Sequence, residues 1–184
     1  MPQGSGLLKS SIGRKALMAV TGLLLIGFLI LHVSANLLIL FDADAFNAYS
    51  HKLISNPLIY IAELGLLVLF VAHLGAGILT ERRNRSARPV AYGMKQNAGH
   101  TSRKTLASST MIFSGVLALL FVPLHIWGFK FGAYYESATH PGTRDLARLV
   151  VEEFQNPFLV GWYVFAMTVI GFHLWHGISR AAQS

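Results

Sequence analysis

Cysteine is absent from all 184 residues. That excludes disulfides, thiolate metal sites and cysteine-ligated iron–sulfur clusters. Charge is scarce as well, at 12% of residues, about half the usual share of a soluble domain. Acids are scarcer than bases, eight against fifteen, and Glu63 is the only acid inside an apolar run. A net charge of +7 could point to nucleic acid, but the bases sit between long hydrophobic stretches. That distribution is the mark of membrane topology, and no nucleic-acid partner is expected. No signal peptide is visible. The first apolar run, 16–41, is too long for an h-region and has no small-residue cleavage site, so it is expected to stay in the membrane.

What fills the chain instead is hydrophobic: 53% of residues, with a mean hydropathy of +0.51. Four apolar stretches, at about 16–41, 57–80, 105–129 and 156–179, are long enough to cross ~30 Å of hydrocarbon at about 1.5 Å per residue. The expectation is an all-α membrane protein, one transmembrane domain over 1–184 with four spans. The segment 42–56, which carries Asp42, Asp44, His51 and Lys52, reads as a short loop. Pro57 opens the second span, where its missing N–H costs little. Pro123 is expected to kink the third span just before His125. The stretch 144–154 has the pattern of a short amphipathic surface helix. Eleven bases border one side of the spans, seven of them in the connection 81–104, and four border the other. The positive-inside rule therefore places the N-terminus, the Arg-rich connection and the C-terminus in the cytoplasm.

The chain repeats itself. Asn56-Pro57-Leu58 leads to His73-Leu74-Gly75-Ala76-Gly77-Ile78, and Asn156-Pro157-Phe158 leads to His173-Leu174-Trp175-His176-Gly177-Ile178, at an offset of 100. Gly22 and Gly115 each precede a histidine by ten residues, His32 and His125, at an offset of 93. The first and second spans thus match the third and fourth, two copies of one hairpin related by an axis along the membrane normal.

Depth sorts the histidines into two levels. His32 lies 17 residues past Lys15, roughly 25 Å in from the cytoplasmic edge, and His125 is likewise towards the outer face. His73 and His173 lie nearer the cytoplasm. A lone transmembrane histidine is explained as well by a hydrogen bond to a neighbouring helix. Four at two matched levels point to chemistry, because each is costly to keep in an apolar span. Two imidazoles facing each other at one depth are what a low-spin haem iron needs as axial ligands. Glycines nearby, including Gly77 and Gly177 one turn past their histidines, would let a porphyrin edge approach the backbone. Zinc fits less well, since the pairs lie in different layers and no carboxylate accompanies the inner pair. His176 is the rival to His173, which the His-Leu-x-x-Gly-Ile match favours. His51, His100 and His140 read as solvated surface residues. Glu63 is a functional candidate by default, with simple solvation near the outer end as its alternative.

Several stretches together resemble a known family: Lys15-Ala16-Leu17-Met18-Ala19-Val20-Thr21-Gly22, His32 through Asn36-Leu37, Asp44-Ala45-Phe46-Asn47-Ala48-Tyr49, Asn84-Arg85-Ser86-Ala87-Arg88-Pro89 and His173 to Gly177. They resemble the single-chain, di-haem cytochrome b subunit of succinate dehydrogenase and fumarate reductase. The resemblance implies a multi-pass anchor in a bacterial cytoplasmic membrane, with flavoprotein and iron–sulfur subunits on its cytoplasmic side. It also implies two b haems, ligated by His32, His73, His125 and His173, and a quinone, usually menaquinone. That chain would catalyse nothing on succinate by itself. Two departures stand out. The family has a fifth span, whereas this sequence runs out at Arg180-Ala181-Ala182-Gln183-Ser184. The acid that one family form carries two residues before the fourth ligand is replaced by Gly171. A quinone site is expected near the outer ends of the first two spans, where Asp42, His51 and Glu63 are the titratable groups; a second one around Trp175 and His176 stays open. The alternatives are a di-haem cytochrome b serving a hydrogenase or formate dehydrogenase, and a haem-free transporter or assembly protein using the histidines in a proton path.

Overall fold

The structure, a computed structural model, describes residues 10–86 and 111–181. Among the described residues it is helical throughout its regular parts, with one isolated antiparallel bridge between Glu136 and Arg144. Helix α1 is Ser11–Asn36, opened by the Ser10 side chain accepting from Gly13 N and prolonged by a 3-10 turn over Leu37–Leu40. Helix α2, Ala43–Ile54, occupies the segment that reads as a loop in the sequence. The local chemistry explains it. Asp42 Oδ1 accepts from Ala45 N at 3.0 Å, Asp44 sits in the first turn, and His51 and Lys52 sit in the last. The charges of Asp44 and Lys52 oppose the nearby poles of the helix dipole.

Asn56 Oδ1 then accepts from Leu58 N at 3.0 Å and starts α3, Leu58–Ser86. This helix continues past its apolar run into the basic stretch, supported by an i,i+4 ion pair of Glu81 with Arg85 at 2.6 Å. Helix α4 is Met111–Lys130 and runs unbroken through Pro123. Helix α5, Leu146–Glu153, is capped by Asp145, whose Oδ1 accepts from Arg148 N at 3.0 Å. Asn156 Oδ1 accepts from Phe158 N at 3.0 Å, and α6, Pro157–Ala181, follows. The two halves therefore share a plan: a long helix, a short Asp-capped helix, an Asn-Pro start, and a second long helix.

Helices α1, α3, α4 and α6 are each long and apolar enough to cross a membrane. Helix α1 packs on α3, α4 on α6, and α1 on α6. On the remaining side α3 and α4 stand apart across an apolar groove of about 450 Å³, whose walls include Leu67, Phe70 and Val71 facing Val122, Ile126 and Trp127. Glu63 and Lys130 form an ion pair across the same two helices. In this square, α1 and α4 lie on one diagonal and α3 and α6 on the other. Small residues are buried where helices meet: Thr21, Ala76, Ser114 and Ala166. They let backbones approach closely, the main source of helix association when the surroundings are as apolar as the side chains. The outward surfaces remain apolar, and Phe41, Trp127, Phe131 and Phe158 stand exposed around the end that carries α2 and α5, as at a membrane–water boundary.

That end is closed by a polar cap. Asn47, buried in α2, donates through Nδ2 to Asp145 Oδ1 at 2.8 Å and accepts from Ala147 N at 2.9 Å. The Arg144 guanidinium donates to four carbonyls at the end of α4 and just beyond: Phe129, Lys130, Gly132 and Ala133, at 3.1, 3.2, 3.0 and 2.7 Å. Basic residues Arg82, Arg83 and Arg85 mark the opposite end on α3.

Candidate functional site

The diagonals of the bundle carry the four histidines. His32 on α1 faces His125 on α4, ring centres 5.8 Å apart and planes at 86°. His73 on α3 faces His173 on α6, ring centres 6.4 Å apart and planes at 70°. The ring facing His73 across the bundle is that of His173. A metal–imidazole bond of about 2 Å puts two ring centres on opposite sides of one ion about 6 Å apart. Both pairs have that spacing.

The inner pair is held by hydroxyls. Thr21 Oγ1 lies 3.1 Å from His73 Nδ1 and also donates to Leu17 O at 2.7 Å. Ser114 Oγ lies 2.8 Å from His173 Nδ1 and donates to Met111 O at 3.0 Å. A hydroxyl has one proton. With that proton committed to a carbonyl, each hydroxyl accepts from Nδ1–H, so each imidazole keeps its lone pair on Nε2. This is the tautomer that ligates a metal through Nε2 while its other nitrogen is anchored. Thr21 and Ser114 are related by the same offset of 93 that relates His32 to His125.

The glycines beside these hydroxyls serve the inner level, not the outer histidines they precede. A Cβ at Gly22 would sit 3.1 Å from His73 Cε1, and one at Gly115 would sit 3.7 Å from His173 Cε1. Counting along one helix could not show this, because the partner ring arrives from the neighbouring helix. At Gly77 and Gly177 a Cβ would meet no atom within 4 Å.

At the outer level, Tyr163 on α6 places its hydroxyl 3.0 Å from His125 Nδ1. Sequence reading missed Tyr163; its only signal is that it stands 100 residues after Glu63. Lys130, the partner of Glu63, was missed as well. Asp42 is occupied as the α2 cap and His51 lies exposed in the last turn of α2. No hydrogen bond or ion pair joins Asp42, His51 and Glu63 among the described residues. The basic positions Arg88, Lys95, Arg103 and Lys104, together with His100, lie outside the described residues.

The residues present fit haem. Among the described residues no three His, Cys, Asp or Glu gather as a ligand set for a bare ion, whereas two facing imidazoles are all that a haem iron requires of a protein. The walls are apolar helix surfaces with small residues at the rings, and the Nδ1 anchors leave Nε2 for the metal.

The chain is similar to the succinate dehydrogenase cytochrome b558 subunit of Bacillus subtilis (strain 168), with 25% identity over 168 residues, covering 89% of this chain and 75% of that protein. No family model matches the chain. No solved structure matches it. The relationship is distant and supports a cytochrome b membrane subunit; with the four apolar helices it describes a multi-pass membrane protein.

Proposed function

We propose that this chain is the membrane-anchor cytochrome b subunit of a succinate dehydrogenase, passing electrons from an iron–sulfur subunit through two b haems to a quinone such as menaquinone. The observation that carries this reading is two histidine pairs, each on a diagonal of the bundle at the separation one metal ion requires. His73 and His173 hold the inner haem, His32 and His125 the outer. Haem, when bound, supplies one-electron transfer at its iron. The chain does the rest. Thr21 and Ser114 hold a proton on Nδ1 of the inner ligands, Gly77 and Gly177 leave space for a macrocycle edge, and Leu117, Phe121 and Ala166 help exclude water. Eleven residues separate Thr21 from His32 on α1, and Ser114 from His125 on α4, so the levels lie about 16 Å apart along the bundle. That spacing suits two centres working in series.

The positive-inside argument supports a bacterial cytoplasmic membrane with the N-terminus in the cytoplasm. The flavoprotein and iron–sulfur subunits then dock at the basic end, where Arg82, Arg83 and Arg85 end α3. Changing these three to glutamate is expected to release the soluble subunits while both haems stay bound, as judged by co-purification and haem content. Failure of the chain to insert would instead assign the run to topology alone.

Quinone reduction consumes two protons, and Glu63, at the outer part of α3 and paired with Lys130, is the candidate group for proton delivery, with Asp42 and His51 as the other titratable groups of that end. An apolar groove between the helices that Glu63 and Lys130 bridge suits a ligand with a polar head and a long apolar tail. In the assembled complex, Glu63→Gln should leave succinate able to reduce both haems yet lower quinone turnover about tenfold or more, the usual scale for losing a positioned proton donor. Wild-type turnover would move the site elsewhere, the surroundings of Trp175 and His176 being next.

The decisive experiment combines a reduced-minus-oxidised spectrum with identification of the co-purifying soluble subunits. A b-type spectrum with a flavoprotein and an iron–sulfur subunit is expected. The same spectrum with a hydrogenase or formate dehydrogenase would reassign the oxidoreductase, and a featureless spectrum would remove the haem reading.

A further inference from the structure

The inner histidines are held alike and the outer ones are not. Each inner ring meets a hydroxyl from the first helix of its own half, at corresponding positions 21 and 114. At the outer level His125 meets Tyr163, on the second helix of its half. The position matching Tyr163 in the first half is Glu63, and Glu63 is turned to Lys130. Among the described residues no hydrogen bond reaches the His32 ring, which stacks on Phe28 and meets His125 edge-on.

We infer that Tyr163 is the positioning residue of the outer site, making His125 its anchored ligand and leaving His32 the adaptable one. The inference rests on the two-haem reading above. With Nε2 as the ligand atom, the ring proton of His125 sits on Nδ1 and is donated to the phenol oxygen. Such a bond fixes the tautomer and ring orientation and strengthens the imidazole as an electron donor. Tyr163 is suited to the task because its ring cannot drift. It lies edge-on to Phe121, Phe129 and Phe154, with ring centres 5.1, 6.0 and 4.9 Å away. The hydroxyl is therefore held at one place by packing, as Thr21 and Ser114 are held by helix carbonyls.

The test is a spectroscopic redox titration of the purified, haem-containing protein, with His125→Ala identifying which component is outer. Tyr163→Phe keeps the packed ring and removes only the hydroxyl. A weaker donor stabilises the oxidised iron less, so the midpoint potential of the outer component should rise and its haem should be lost on the order of tenfold more readily, with the inner component unmoved. Ser114→Ala should give the mirror result, shifting the inner component alone. Wild-type potentials and haem retention in Tyr163→Phe, or equal shifts in both components, would overturn the inference while leaving the two-haem reading intact. A wild-type protein without haem would overturn both.

Discussion

Replacing His73 with alanine should abolish one haem and leave the other, halving the haem-to-protein ratio; replacing His125 should abolish the other one. The all-or-none size follows from the geometry. Each level offers two imidazoles and no further ligand set among the described residues, so deleting one leaves an iron with a single protein ligand and no low-spin bis-imidazole state. The effects should be independent because the levels share no ligand and lie about 16 Å apart. Haem content and the difference spectrum report the outcome. The ligand assignment fails if His73→Ala retains two haems of unchanged spectrum while His176→Ala loses one.

Arg144→Ala should produce a large loss of stability. One guanidinium serves four carbonyls where α4 ends and the chain turns. Those carbonyls have no helical N–H to accept from, and a cation there also meets the negative pole of the helix dipole. Hydrogen bonds to a charged group are worth about 1.5–3 kcal/mol each, and partial exposure brings the total to roughly 3 kcal/mol. For a chain of this size that lowers the thermal midpoint by on the order of 5–10 °C. Arg144→Lys should recover little, since an ammonium cannot reproduce the planar fork. A thermal midpoint equal to wild type in Arg144→Ala would show that the cap closes without this residue.

The resemblance to succinate dehydrogenase cytochromes and the histidine depths were both legible in the primary structure, because hydropathy and residue counting measure position along a helix axis. Helix α2 was nearly legible too. Asp42 followed by Asp44, with His51 and Lys52 near the end, is a cap-and-dipole signature in a segment too short and polar to attract a helical reading. Tyr163 was not legible, since an aromatic residue in an apolar span looks like any other packing residue until the neighbouring ring is known.

The sequence by itself determined how many helices are apolar enough to cross a membrane, which histidines share a depth, and that the two halves are copies. These are properties of spacing, and a rise of about 1.5 Å per residue converts spacing to height directly. Only the tertiary structure decided which helices share a diagonal, that Gly22 and Gly115 pack against His73 and His173, that Thr21 and Ser114 meet the inner rings at Nδ1, and that Tyr163 meets His125 while Glu63 turns to Lys130. Those are matters of rotation about each helix axis and of what the facing helix presents. A periodic apolar sequence leaves rotation almost undetermined when every face is hydrophobic, so packing of small residues and hydrogen bonds between helices must choose it.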